Sequence, residues 1–333
     1  MNIGIITFSN GGSILGERLS SCLQIEGYET GLFRCTTGTL ASWTKSHFIS
    51  DNALIFIGAA GIAMRATAPH IKSKTTDPAV IVIDERGRYV IPLLSGHIGG
   101  ANELAQNISV MLNAMPIITT ATDCSGVFAI DTWARKNKLH IYNPERIKYV
   151  SARLLNGETV AFRSLFPVAG NLPDGLIENS RQYDISITIK TKGNTAALKL
   201  VPPVLTLGVG CRKGVSCDDL ACAFDMILKK ASFHKEAVTQ VCSIDLKAEE
   251  PGLLEFCRQS GLTFKVFSAE QLNAVRGQFT ASEFVRKTTG TDNVCERSAV
   301  LGSGGELLTK KDAGNGITMA FAIAPHTVRF RED

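Results

Sequence analysis

From Ile3 to Thr120 the chain alternates short apolar runs with stretches of helical spacing. The segments are Ile3 to Phe8, Thr30 to Arg34, Leu40 to Phe48, Ala53 to Ile57, Ala79 to Ile83, Tyr89 to Leu94 and Pro116 to Thr120, with helices expected from Ser13 to Glu26 and from Gly99 to Leu112. Short apolar runs of this kind fit strands buried on both faces, and their alternation with helices predicts a mostly parallel sheet covered on both sides. Ligands of such sheets sit at the carboxyl ends of the strands. Those ends carry Ser9-Asn-Gly-Gly-Ser13, Gly58-Ala-Ala-Gly61, Asp84-Glu-Arg-Gly87 and Ser95-Gly-His97, which predicts a polar crevice.

From Thr122 to Pro202 the pattern changes to short mixed elements: Asp131 to Lys138 helical, Thr159 to Arg163 extended, Ile185 to Lys190 alternating. Glycine and proline punctuate it at Asn156-Gly157, Leu172-Pro-Asp-Gly175 and Val201-Pro-Pro203. Beyond it the α/β pattern returns, with Val204 to Val209, Val238 to Asp245, Thr263 to Phe267 and Ile317 to Ile323 extended and helices over Asp218 to Lys230, Pro251 to Gln259 and Cys295 to Leu301. The predicted fold is therefore α/β and multidomain. Two layered α/β domains with mostly parallel sheets (residues 1–121 and 203–333) flank a smaller α+β middle domain and linker (residues 122–202).

A chain of 333 residues is long enough for two or three such cores. No apolar stretch reaches the length needed to span a bilayer, and the start lacks a basic, cleavable leader, so a cytoplasmic location is expected. The nine cysteines form no Cys-x-x-Cys pair and fall within apolar patterns; Cys22, Cys222 and Cys257 are expected as buried thiols. A formal charge of +4 without basic runs argues against a nucleic-acid partner and is compatible with a small polyanion focused in a cleft.

Two glycine-rich corners carry the candidate chemistry. The first, Pro92-Leu-Leu-Ser-Gly-His-Ile-Gly-Gly-Ala-Asn-Glu-Leu-Ala105, reads as a strand end turning around a histidine into a helix that Asn102 can either cap or polarise, unless it donates to a substrate carbonyl. The second is Gly208-Val-Gly-Cys-Arg-Lys-Gly214, read as a turn after a strand ending at Leu207. Together with Ile57-Gly-Ala-Ala-Gly-Ile-Ala-Met-Arg65, Asp77-Pro-Ala-Val80, Ile117-Ile-Thr-Thr-Ala-Thr-Asp123, Ser243-Ile-Asp-Leu-Lys-Ala-Glu249, Val294-Cys-Glu-Arg-Ser-Ala299 and Leu308-Thr-Lys-Lys311, these runs resemble, in matched order, the cobalt-precorrin-5A hydrolase (CbiG) family of anaerobic cobalamin synthesis.

The resemblance implies opening of the δ-lactone that joins the ring A acetate to the meso carbon, and loss of that carbon with its methyl as acetaldehyde, giving cobalt-precorrin-5B. Cobalt arrives in the tetrapyrrole substrate, so neither a cofactor nor a resident metal is expected. Neighbouring enzymes of the cobalamin pathway and a second copy of the chain, as a homodimer, are the partners it leaves open. A corrinoid carrier that binds the intermediate without changing it is the alternative.

Such a hydrolysis needs a base for water and donors for the developing oxyanion. His97 is the candidate base, or else a histidine that only packs the turn. Glu103 either shares the catalysis or meets the helix dipole as a first-turn carboxylate. Ser95, Gly99, Gly100 and Asn102 are expected against the substrate, with unobstructed backbone N–H groups beside the glycines. Arg65 can fork onto a substrate carboxylate or form a surface salt bridge. Cys211, Arg212 and Lys213 are read as a carboxylate-binding corner in which two cations lower the thiol pKa.

Overall fold

The computed structural model describes residues 1–73, 76–97, 99–120 and 126–330. They form two compact units, Met1–Arg135 with Ser151–Gly157, and Lys136–Val150 with Glu158–Asp333.

The first unit is built on a sheet of β1 (Asn2–Thr7), β2 (Glu29–Arg34), β3 (Ala53–Ile57), β4 (Ala79–Ile83), β5 (Tyr89–Leu94) and β6 (Met115–Pro116), in the order β2-β1-β3-β4-β5-β6. Every neighbouring pair is parallel except the β4-β5 hairpin. Asp84 builds that hairpin turn: its carboxylate accepts from the backbone N–H groups of Arg86, Arg88 and Tyr89. The helices are α1 (Asn10–Ile25), α2 (Leu40–Ser50), α3 (Ala60–Thr67), α4 (Ala101–Leu112) and α5 (Ile130–Lys136).

Alternate strand residues point to opposite faces, so one all-apolar strand feeds two cores. Ile55 and Ile57 of β3, with Ile81 and Ile83 of β4, meet Leu19, Leu23, Leu104 and Ile108 of α1 and α4. Leu54 and Phe56, with Val80 and Val82, meet Trp43, Phe48 and Ala63 of α2 and α3. The carboxyl ends of β1 and β3 thereby deliver their loops to one sheet edge. Ser9, not Ser13, starts α1, its side chain accepting from Gly12 N–H at 3.0 Å.

In the second unit a small sheet joins β7 (His140–Ile141), β8 (Val160–Ser164), β10 (Leu176–Glu178), β11 (Ile185–Ile187) and β12 (Leu198–Val201) in the order β10-β8-β11-β12-β7. The helix α6 (Ile147–Leu155) precedes β8, and β9 (Val168–Ala169) pairs with β19 (Val328–Arg329) near the end of the chain. The larger sheet holds β13 (Leu205–Cys211), β14 (Val238–Ile244), β15 (Thr263–Phe267), β16 (Glu306–Leu307), β17 (Asp312–Gly314) and β18 (Ile317–Ile323). Its β15-β14-β13 half is parallel and β18 adds antiparallel to β13. The layered α/β architecture is thus present in both terminal parts, the carboxy-terminal sheet being mixed.

Helices α7 (Cys217–Ala231) and α8 (Pro251–Ser260) pack together through Phe224 and Phe256, rings 5.6 Å apart, with Phe321 of β18 beneath. The short helices α9 (Ala269–Ala274) and α10 (Glu283–Thr289) follow β15, and α11 (Cys295–Ser303) lies against β13, β14 and β18. Its approach to β13 corrects the reading of the second glycine corner. The strand runs through Cys211, so Gly208 and Gly210 lie inside it and the turn begins only at Arg212. A Cβ on Gly208 would stand 1.8 Å from the Cys295 carbonyl oxygen; the glycine is required by helix-on-sheet contact, not by a ligand. Cys222 is exposed on α7 rather than buried. Among the described residues no helix is long and apolar enough to cross a membrane.

Gly208→Ala is expected to force α11 off the sheet and cost about 1–3 kcal/mol or more. Gly31→Ala, where an added Cβ meets nothing within 4 Å, is expected to leave the denaturation midpoint nearly unchanged; equal midpoints for the two variants would contradict the packing argument.

Candidate functional site

The β5-to-α4 connection is a sharp reversal held by its own backbone. Ser95 is buried, takes a left-handed φ of 58° and donates its hydroxyl to the Asp77 carbonyl at 2.9 Å. Asp77, also buried, accepts from the N–H groups of Lys72 and Ser73. Gly100 at φ 78° is the residue that enters α4, a conformation costly for a residue with a Cβ. Gly99 lies so close to Ser95 that a Cβ there would overlap the serine side chain.

This geometry revises two expectations. Asn102 lies within the first turn of α4, not at its cap; its buried amide donates to Thr120 Oγ1 at 3.0 Å. The N–H groups of Gly100, Ala101 and Asn102 donate to the carbonyls of His97, Ser95 and Gly96 at 3.0, 3.1 and 3.0 Å. The Gly100 donor expected to face a ligand is therefore spent on the loop itself, as are those of Ala101 and Asn102. The N–H of Gly99 has no acceptor among the described residues.

His97 is held from a distant part of the chain. Its Nδ1 lies 3.1 Å from Asp131 Oδ2, with the side chains 14% and 8% exposed. Burial alone would raise the Asp131 pKa; the hydrogen bond and charge of His97, with the Thr132 N–H, overcome it and hold the carboxyl below the usual aspartate range. An Nδ1–H donated to this carboxylate fixes the tautomer in which Nε2 is the basic nitrogen. Arg135, one turn further along α5, pairs with Glu103. The sequence reading singles out neither Asp131 nor Arg135 and places both only within a helical stretch from Asp131 to Lys138. The signal was there: Asp131 is flanked by Ile130, Trp133 and Ala134, all buried with it.

Arg65 is exposed on α3, its guanidinium folded over Gly61, and has no ion pair among the described residues. Of the family-like run Ile117 to Asp123, the last three residues lie outside the described residues.

The second unit presents a different surface. Burial pushes the Cys211 thiol up to about 11, and Lys247 only partly opposes it; a thiolate activated by Arg212 and Lys213 is thus corrected to a neutral thiol. Arg212 and Lys213 themselves are exposed on the turn after β13. The turn is pinned by Glu250, whose buried carboxylate accepts from Gly214 N–H at 2.7 Å and Lys247 Nζ at 2.8 Å. The Lys247 hydrogen bond, against burial and aided by Gly214, holds Glu250 below the usual glutamate range. In the run Val294 to Ala299, the fully buried Glu296 accepts from Thr280 N–H, Thr280 Oγ1 and Lys311 N–H, a loop-fastening role. A groove of about 260 Å³ between α7 and the β17-β18 pair, lined by Cys222, Met226 and Lys230, contains none of the predicted site residues. Among the described residues no group of three or more His, Cys, Asp or Glu side chains could hold a metal ion.

The chain is thus a layered α/β protein whose first unit carries an acid–base pair on a strand-to-helix reversal. Residues 42–123 match the cobalamin synthesis G N-terminal model, 128–194 the cobalamin biosynthesis central region and 205–322 the cobalamin synthesis G C-terminus. The chain is 33% identical over 343 residues to a cobalt-precorrin-5A hydrolase of Salmonella typhimurium, covering 97% of this chain and 98% of that protein. It is 34% identical over 313 residues to a cobalt-precorrin-5A hydrolase of Priestia megaterium, covering 87% and 83%. A solved cobalamin biosynthesis protein G homolog from Sulfolobus solfataricus, 25% identical, aligns over 97% of each chain with a TM-score of 0.43. The protein belongs to the cobalamin synthesis G family.

A group held below its ordinary pKa in the folded protein contributes stability that is complete above that value and fades as pH falls through the folded pKa. Asp131→Asn is therefore expected to cost about 1 kcal/mol near neutral pH. Its deficit against the unchanged protein should shrink as pH drops below the ordinary aspartate value of 3.8. A deficit constant from neutral to acid pH, followed by thermal unfolding, would show that the His97 contact does not perturb Asp131.

Proposed function

We propose that this protein is a cobalt-precorrin-5A hydrolase: it opens the ring A δ-lactone of the cobalt-bearing tetrapyrrole with water, and the meso carbon leaves with its methyl as acetaldehyde. The observation that carries the reading is the His97–Asp131 pair, set on the glycine reversal of a chain that matches named hydrolases over nearly its full length.

In this reading His97 Nε2 takes a proton from water as the water oxygen attacks the lactone carbonyl carbon. Asp131 keeps the imidazole oriented and stabilises its protonated form. The negative charge on the carbonyl oxygen is met by the Gly99 N–H and by the positive end of α4. Collapse breaks the bond between the acyl carbon and the ring oxygen, which leaves as the alkoxide of the meso carbon, while the acyl group becomes the ring A acetate. That oxygen then forms the carbonyl of acetaldehyde as the bond from the meso carbon to the macrocycle breaks, its electron pair passing into the conjugated ring, where the His97 proton can follow. Arg65, exposed on α3, is a cation that a peripheral carboxylate of the substrate can meet; Arg212 and Lys213 are the exposed cations of the second unit's own corner. Cobalt enters and leaves with the substrate.

The test is anaerobic incubation of the purified protein with cobalt-precorrin-5A, with acetaldehyde trapped and the corrinoid followed by mass. One acetaldehyde per corrinoid consumed is expected, and His97→Ala should lower the rate about 10²–10⁴-fold while the corrinoid still binds. A wild-type protein that binds the corrinoid and returns it unchanged would overturn the hydrolase reading in favour of a carrier; full activity in His97→Ala would remove His97 as the base.

A further inference from the structure

Helix α5 places Asp131 and Arg135 four residues apart on one face, and both reach the same reversal. Asp131 holds His97; Arg135 pairs with Glu103 and lies over Gly100, where a Cβ would come 3.5 Å from an Arg135 terminal nitrogen. The Gly100 N–H donates to the His97 carbonyl at 3.0 Å, so the guanidinium sits on the peptide that closes the base's own turn.

The Glu103–Arg135 pair is incompletely matched. Glu103 engages one terminal nitrogen through one oxygen, whereas Arg135 Nε is buried with no acceptor among the described residues. A guanidinium presents Nε–H and one terminal N–H as parallel donors to the two oxygens of a carboxylate, and a buried donor left unmatched is unfavourable. The side chains are 35% and 40% exposed, so the pair is wet, screened and weakly held. A carboxylate that took both Nε and the terminal nitrogen would satisfy the donor that Glu103 does not.

We propose that Arg135 is the carboxylate anchor of the His97 site, and that Glu103 is its internal counter-ion, displaced when a substrate carboxylate forks onto the guanidinium. The inference rests on the hydrolase reading for the identity of the substrate, a tetrapyrrole with acetate and propionate side chains, and it gives Glu103 a role in binding rather than in proton transfer.

The test compares Arg135→Gln, Arg135→Lys and Glu103→Gln with the unchanged protein, each checked for folding by circular dichroism. It measures turnover of cobalt-precorrin-5A and, separately, equilibrium binding of uroporphyrin, a tetrapyrrole with eight carboxylates. Opposite signs are expected. Arg135→Gln should raise KM and weaken uroporphyrin binding tenfold or more, with kcat changed less than KM. Arg135→Lys, which keeps the charge but loses the fork, should fall between. Glu103→Gln should tighten uroporphyrin binding about threefold or more. A merely structural pair would make Arg135→Gln and Glu103→Gln shift binding in the same direction, which overturns the proposal, as does failure of the unchanged protein to bind uroporphyrin. A collapse of kcat in Glu103→Gln with KM unchanged would also overturn it and return Glu103 to the chemistry. Opposite signs on uroporphyrin with no conversion of cobalt-precorrin-5A would sink the hydrolase reading and leave the anchor standing.

Discussion

The reversal between β5 and α4 is the constraint on which the site depends. A strand ending at Leu94 must turn into a helix at Ala101 within six residues that also display a histidine. The chain does this by putting Ser95 and Gly100 in left-handed conformations and by spending successive helix-start N–H groups on the carbonyls of the same loop. A loop that satisfies its own donors is rigid without a ligand, which suits preorganised chemistry and leaves few amides for substrate. The polar contacts to the reversal thereby shift from backbone donors to side chains brought in from α5.

That shift explains which parts of the molecule were legible in the sequence. Apolar runs such as Ala53 to Ile57 and Ala79 to Ile83 declared the sheet because strands buried on both faces have almost no alternative reading. His97 was visible because it stands among glycines at a strand-to-helix corner, where a histidine either serves a site or packs the turn. Asp131 and Arg135 were not, since 34 residues separate Asp131 from His97 and nothing in the local spacing says which loop a short helix will face. Pairing across such a distance is decided by tertiary packing of α5, anchored by Trp133, which is buried.

The carboxy-terminal glycines show the opposite failure. Gly208 and Gly210 resemble a ligand-approach motif, yet they answer a steric demand, the backbone of α11 lying directly on β13. Glycine in a strand signals close approach of something, and sequence alone does not distinguish a helix from a ligand. Likewise a cysteine beside Arg212 and Lys213 suggested an activated thiol, but neighbours in sequence at a strand end point to different faces. What decides Cys211 is burial, and burial favours the neutral thiol.

The two corners differ in what their buried carboxylates hold. The first has a buried pair in which His97 helps hold the Asp131 carboxyl below its usual range against burial, with a half-exposed ion pair one helical turn away. The second has its buried carboxylate, Glu250, bonded at one oxygen by Gly214 and at the other by Lys247, so that carboxylate holds the turn while Arg212 and Lys213 stay in solvent. A buried carboxylate bonded at both oxygens to a cation and a backbone N–H is poorly suited to proton transfer, because its charged form is favoured. On this electrostatic ground Glu250 is a structural carboxylate, whereas the His97–Asp131 pair keeps a ring nitrogen that its partner carboxylate does not occupy.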